Sequence, residues 1–236
     1  QAVGWRWVFA LVAGLALTTA LLVFILAPRD ESDPAASPAR ELKALGKPQI
    51  WLTLAVGAIG FGGMFAVYTY LADTMLEVTR VGEGAIPIAL AAFGIGMTGG
   101  NLIVPRFADK ALLPTAAGLL IWSTIALLMW PLATGTLWTL CLGALAIGIG
   151  GALGTVLQTR LMDVAGEAQA LAAALNHSAF NTANALGPWL GGMAIAAGYG
   201  WTSTGWVGAL LALGGLLFLA VSMLLERQGA PVPAPA

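Results

Sequence analysis

Asn-His-Ser-Ala-Phe-Asn-Thr-Ala-Asn-Ala-Leu-Gly-Pro-Trp-Leu-Gly-Gly, residues 176–192, is the stretch around which the rest of the chain is arranged. It lies in a run from Ala168 to Leu225 that contains no Asp, Glu, Lys or Arg. That run is long enough for two membrane crossings of about 20 residues each. His177, Asn181 and Asn184 follow at i, i+4 and i+7, so they share one face of an α-helix. Because a lipid-facing helix has no use for two amides and an imidazole, this face is predicted to border a polar interior.

Glycine pairs at a spacing of four predict where helices approach each other closely. Gly187 and Gly191 lie on a face next to the polar one, where a neighbouring helix can approach backbone to backbone. The sequence offers two more such pairs. The complete set of predicted helix-packing glycines is Gly96, Gly100, Gly150, Gly154, Gly187 and Gly191.

The composition predicts an all-α polytopic membrane protein. The 236 residues are 59% hydrophobic and 9% charged, whereas soluble domains carry about 25% charge. The apolar runs are continuous rather than alternating, which excludes a membrane β-barrel. A single cysteine, Cys141, gives neither a disulfide framework nor a cysteine metal site. No basic patch suggests a nucleic-acid partner, and the expected partner is the lipid bilayer.

Charged residues divide the sequence into seven predicted transmembrane helices. The predicted crossings are 7–28, 48–72, 84–105, two within 111–159 that turn near 133–136, 169–196 and 204–225. The predicted domains are a transmembrane helix in 1–28, a cytoplasmic linker at 29–47, a six-helix transmembrane bundle at 48–227 and a cytoplasmic tail at 228–236. The loop markers Asp73 and Glu77 are expected in a solvated outer loop.

The distribution of cations predicts the orientation in the membrane. Eight of the ten Lys and Arg residues fall on the side of the linker, which is the cytoplasmic side by the positive-inside rule. They are Arg29, Arg40, Lys43, Lys47, Arg106, Lys110, Arg160 and Arg227. We therefore expect a multi-pass protein of the inner (cytoplasmic) membrane, with linker and C-terminus in the cytoplasm.

A short internal sequence repeat predicts two inverted three-helix repeats in the last six helices. Ala58–Gly63 reads Ala-Ile-Gly-Phe-Gly-Gly, and Ala-Ile-Gly-Ile-Gly-Gly follows 88 residues later. The copies are offset by three helices, so they enter the membrane from opposite sides, as in several transporters. The alternative is that a glycine-rich apolar sequence recurs here by chance. If the repeat is real, Tyr68, Tyr70 and Gln158 are cavity candidates at opposite depths.

Three segments resemble the C-terminal half of a major facilitator superfamily transporter, of the arabinose-efflux-permease-like and chloramphenicol-resistance-like branch. They are Gly4–Phe9, Leu157–Asp163 and Asn176–Gly192. The resemblance covers all 236 residues as helices 6 to 12 of a twelve-helix fold. It implies alternating access, with the proton as coupling ion and no cofactor. It also implies a missing N-terminal half, whose first five helices carry the usual proton-coupling carboxylate in this family. Either the chain is a fragment or that part is a separate chain.

The cavity and gate candidates each have a purely structural alternative. Asn181 and Asn184 either hydrogen-bond a substrate or bond neighbouring helices. His177, predicted one helical turn from the cytoplasmic end, either handles protons or has a capping or helix-helix role. Arg106, Asp109, Lys110 and Arg160 are candidates for a cytoplasmic gate, against ordinary topology anchoring. Arg160 and Asp163, at i and i+3, are expected to pair on the helix surface.

No enzyme active site or metal site is predicted. One histidine excludes a His-Glu-x-x-His zinc site, and the absence of lysine from every predicted span excludes a retinal-type Schiff base. The predicted function is therefore proton-coupled efflux of a small organic solute, either a drug such as chloramphenicol or a sugar. The alternative is a non-transporting membrane scaffold or assembly fragment.

Overall fold

The computed structural model describes residues 4–26, 45–166 and 168–229, and every regular element in these ranges is helical. The long helices are α1 (Gly4–Leu26), α2 (Pro48–Thr69), α3 (Ile86–Ile103), α4 (Leu112–Ala133), α5 (Leu137–Ala165), α6 (Gln169–Ala194) and α7 (Ser203–Gly229). The predicted linker as far as residue 44, and residues 230–236 of the predicted tail, lie outside the described residues. The prediction of an all-α polytopic membrane fold is confirmed.

Six of these helices are both long and apolar enough to cross a membrane. The exception is α6, which has 26 residues and so a length of about 39 Å, enough for a bilayer core of about 30 Å. Its imidazole and amides make it more polar than the other long helices. The sixth predicted crossing therefore has the required length, with a polar surface that needs shielding from lipid.

The second crossing ends differently from its prediction. The chain turns at Tyr70 and then continues as a short helix, Leu71–Thr74, and a π-helical turn, Met75–Thr79. Thr74 and Met75 are fully buried and hold this segment on the core. The prediction that Asp73 and Glu77 lie in an outer loop is therefore wrong. The loop begins at Arg80, which ends the helix in the left-handed region with φ at 56°.

One glycine pair packs α3 against α5. A Cβ atom added to Gly96 would overlap the carbonyl oxygen of Leu145, and one added to Gly100 would lie 2.7 Å from the carbonyl oxygen of Ile149. The residue numbers rise together on both helices, so α3 and α5 run parallel.

A second glycine pair packs α6 against α2 in the same manner. A Cβ atom added to Gly187 would overlap the carbonyl oxygen of Gly62, and one added to Gly191 would lie 3.5 Å from that of Ala66. These helices are also parallel. The arrangement of α6 on α2 thus repeats that of α3 on α5, which is the relation that two inverted three-helix repeats require.

The centre of the bundle is formed by α2 and α5. In their spans 67% and 61% of residues are buried, against 22% in the span that contains α3. Both helices change geometry at the repeated glycine-rich motif: α2 has a π-helical turn at Val56–Gly60, and α5 has a 3₁₀ turn at Gly150–Ala152. Helix α7 runs antiparallel to α2, since Gly63 meets Gly208 and Gly60 meets Gly215.

Candidate functional site

The α6 polar face, formed by His177, Asn181 and Asn184, is exposed along its whole length. None of these three side chains has a hydrogen-bond partner among the described residues. Pro188 lies one turn further along α6 and has no N–H, so the carbonyl of Asn184 loses its usual helical donor. The face therefore combines two amides, an imidazole and a free backbone acceptor.

A neighbouring face of α6 is packed into the bundle. Ala183 is fully buried, Gly187 contacts α2, and Asn176 is 3% exposed. The Asn176 amide donates a short hydrogen bond to Oε1 of Gln158 on α5. Because α6 is fixed on this side, it holds its polar residues toward the outside of the bundle rather than toward its core.

His177 lies further from the helix end than predicted. Helix α6 begins at Gln169, about two turns before His177 rather than one. Helix capping takes place in the first turn, and this distance places the imidazole beyond it. A capping role for His177 is therefore wrong, and its helix-helix and proton-handling roles stay predictions.

Aromatic rings border the α6 polar face. Phe180, next to Asn181 in the chain, is partly exposed, and its ring centroid lies 4.8 Å from that of Phe61 on α2. The Phe61 ring in turn makes an edge contact with Phe65 at 5.5 Å. Gly154 leaves room for this cluster, since a Cβ atom there would lie 3.3 Å from the Phe180 ring.

The three other cavity candidates have different surroundings. Tyr68 is 41% exposed, and its ring lies 4.7 Å from that of Phe93. The Tyr70 hydroxyl donates to the carbonyl oxygen of Pro188 at 2.9 Å, and Gln158 accepts the bond from Asn176. Tyr70 and Gln158 therefore connect helices, while the side chain of Tyr68 is exposed. Their roles toward a substrate stay predictions.

Two of the gate candidates, Asp109 and Lys110, line a cavity of about 290 Å³ between the α3–α4 connection and α5. Asp163, Thr155 and Thr159 of α5 lie on its other side. Arg106 is exposed and donates to the carbonyl oxygen of Leu102. The cavity has the size of a small ligand pocket and mixed charge, and the gate assignment stays a prediction.

Arg160 has a different partner from the predicted one. It is 9% exposed, and its guanidinium pairs with Glu226 of α7 at 2.9 Å rather than with Asp163. Arg160 faces α7, whereas Asp163 is exposed and faces the cavity beside Asp109. Helix spacing identifies neighbours on the same helix only, so it gave no indication of a partner 66 residues away.

Further polar contacts that the sequence analysis missed join the same end of the bundle. The side-chain NH₂ group of Gln49 donates to the backbone carbonyl oxygen of Ser222 at 3.0 Å, and the side-chain oxygen of Gln49 accepts from the Ser222 hydroxyl. Lys47 donates to the carbonyl oxygens of Val164 and Ala165 at the C-terminus of α5. The one available signal in the sequence was a polar side chain at each predicted helix end. This signal does not specify which side chains pair.

Gly150 completes the set of predicted packing glycines. A Cβ atom there would overlap the Ser123 hydroxyl of α4. All six predicted glycines thus lie against another helix. Gly96, Gly100 and Gly187 lie closest to a neighbouring backbone.

The chain is similar to known membrane transporters along nearly its whole length. The family model described as Major Facilitator Superfamily matches residues 1–134 and 88–236. Inner membrane transport protein YdhP of Escherichia coli (strain K12) is 30% identical over 229 residues, which cover 97% of this chain and 58% of that protein. A chloramphenicol resistance protein of Streptomyces lividans is 34% identical over 230 residues, covering 94% of this chain and 56% of that protein.

A probable sugar efflux transporter of Haemophilus influenzae (strain PittGG) is 30% identical over 229 residues, covering 95% of this chain and 57% of that protein. The chain thus spans a little over half the length of the curated relatives it matches.

Proposed function

Because this chain belongs to the Major Facilitator Superfamily, we propose that it is the C-terminal half of a secondary transporter that exports small organic solutes in exchange for protons. Membership makes it a multi-pass membrane protein of a transporter family. The observation that carries the proposal is the exposed α6 polar face. In lipid an unsatisfied polar group costs several kcal/mol, so this face needs protein or a water-filled cavity beside it.

The missing partner in this proposal is an N-terminal half of the same transporter. In transporters with two halves, substrates bind near the bilayer midplane between them, and α6 presents its amides on the side away from its own bundle. The absent half would supply the opposing wall and the proton-coupling carboxylate. The names of the relatives, with chloramphenicol resistance and sugar efflux among them, support export of drugs or sugars.

Transport by the complete protein in proteoliposomes with an imposed pH gradient tests this proposal. We expect the gradient to drive accumulation of chloramphenicol or a sugar, and a protonophore to abolish it. A complete protein that moves none of a panel of drugs and sugars would contradict the proposal and favour the scaffold alternative.

We propose in addition that the linker and the C-terminus face the cytoplasm, as the positive-inside rule indicates. A single cysteine at Ala39 should react with an impermeant thiol reagent only from the cytoplasmic side, and one at the exposed Glu83 only from outside. Cys141 is first replaced by alanine. Reaction of both from one side would contradict this topology.

A further inference from the structure

We infer that this half of the transporter recognises uncharged amphipathic solutes, which carry hydroxyl or amide groups beside an aromatic or apolar surface. The inference rests on the proposed transport function and specifies its substrate class. This half offers no counter-charge to an organic cation or anion.

The hydrogen-bonding groups of the α6 polar face suit an uncharged ligand. Asn181 and Asn184 each offer a carbonyl acceptor and two amide donors, and the freed carbonyl of Asn184 adds a backbone acceptor. A hydroxyl or an amide on the ligand donates and accepts at once, so it satisfies both kinds of group. An ammonium group only donates and a carboxylate only accepts, so either would leave half of these groups unsatisfied.

The spans of this half give no counter-charge for an ion. Residues 48–72, 84–105, 111–159 and 168–225 contain no Asp, Glu, Lys or Arg. At the end of the bundle, Arg160 and Glu226 neutralise each other. An ion taken out of water without a partner carries a large desolvation cost. His177 is the one titratable side chain on the α6 polar face.

The apolar part of the ligand has aromatic rings to contact. Phe180 is partly exposed beside Asn181, and its ring packs at a tilt against that of Phe61. Tyr68 offers a second exposed ring on α2, supported from behind by Phe93. The Phe180 ring beside the free Asn181 amide matches a solute in which an aromatic group and hydrogen-bonding groups are adjacent.

The test compares solutes of different charge on the complete transporter in proteoliposomes. The probes are chloramphenicol, which is uncharged, aromatic and carries amide and hydroxyl groups, the aromatic cation tetraphenylphosphonium, and benzoate as an aromatic anion. We expect transport of chloramphenicol at least about tenfold faster than that of either ion. Equal or faster transport of an ion would overturn the inference while leaving the transport function intact. Transport of nothing, including sugars, would instead contradict the proposed function.

A charge-changing variant provides the second arm. Asn181→Asp replaces an amide by a carboxylate of the same shape, so it should lower chloramphenicol transport. It should also shift the ratio of cation transport to chloramphenicol transport by about tenfold or more, the factor that corresponds to one hydrogen bond to a charged group. Gln169→Glu makes the same chemical change at the exposed start of α6 and should leave the ratio unchanged. An unchanged ratio in Asn181→Asp, or the same shift in both variants, would overturn the inference.

Discussion

Asn176 and Asn184 lie on the same helix two turns apart, and their surroundings are opposite. The amide of Asn176 is 3% exposed and bonded to Gln158 of α5, whereas the amide of Asn184 is exposed and has no partner in the described part of the chain. The first connects two helices and the second is available to a ligand. The comparison shows that the face on which an intramembrane amide lies decides whether it bonds to another helix or stays exposed without a partner.

The glycines extend this comparison from α6 to the whole bundle. Gly187 lies against the backbone of α2, while Gly94 of α3 has no atom within 4 Å of an added Cβ. Both are helical glycines in an apolar segment. An added methyl group therefore meets backbone at Gly187 and open space at Gly94.

The largest expected effect is on the packed glycine. In Gly187→Ala the new methyl group meets the backbone of Gly62 and Ala66, which cannot move aside as a side chain does. We expect a loss of about 2–3 kcal/mol in stability, as for an overpacked core, measured as thermal unfolding of the complete transporter in detergent. Gly94→Ala makes the same change in open space and should be neutral or slightly stabilising. Equal effects of the two substitutions would contradict the packing described for α6.

The two asparagines should separate stability from binding. Asn176→Ala leaves Gln158 unpaired inside the bundle, so it should cost about 1–3 kcal/mol in the same unfolding measurement. Asn184→Ala removes an exposed side chain and should leave stability unchanged, while it lowers the apparent affinity for the solute about tenfold. An affinity loss in Asn176→Ala without loss of stability would reverse the two assignments.

Chemical labelling tests whether the α6 polar face meets water. In a Cys141→Ala background, single cysteines at His177, Asn181 and Asn184 of the complete transporter should react with a hydrophilic thiol reagent. A cysteine at the buried Ala183 should stay unreactive. Protection of the three polar positions in both inward-facing and outward-facing conditions would show that another element covers this face.

The smallest expected effect concerns the ion pair between α5 and α7. Glu226 is 46% exposed, so solvent screens its attraction to Arg160, and Glu226→Gln should cost only about 0.5–1 kcal/mol in stability. The loss should shrink at high salt concentration. Asp163→Asn removes a carboxylate that lies on α5, as Arg160 does, but does not pair with it. This substitution should leave stability unchanged. A larger loss in Asp163→Asn would restore the pairing predicted from the sequence.

The periodic features of this protein are determined by the sequence itself. Continuous apolar runs specify the helices, and the spacing of His177, Asn181 and Asn184 places them on one face. The spacing of Gly187 and Gly191 places a close contact on a neighbouring face. These features depend on the 3.6-residue repeat of one helix, so they do not require knowledge of any other segment.

The tertiary structure decided which groups meet. Arg160 pairs with Glu226 rather than Asp163, and Gln158 bonds Asn176 rather than lying free. Asp73 remains on a helix because the buried Thr74 and Met75 hold that segment on the core. Each outcome depends on how distant helices dock, and docking is set by backbone approach at the glycines and by the fit of side chains across helices. A pattern within one helix contains no information about that fit.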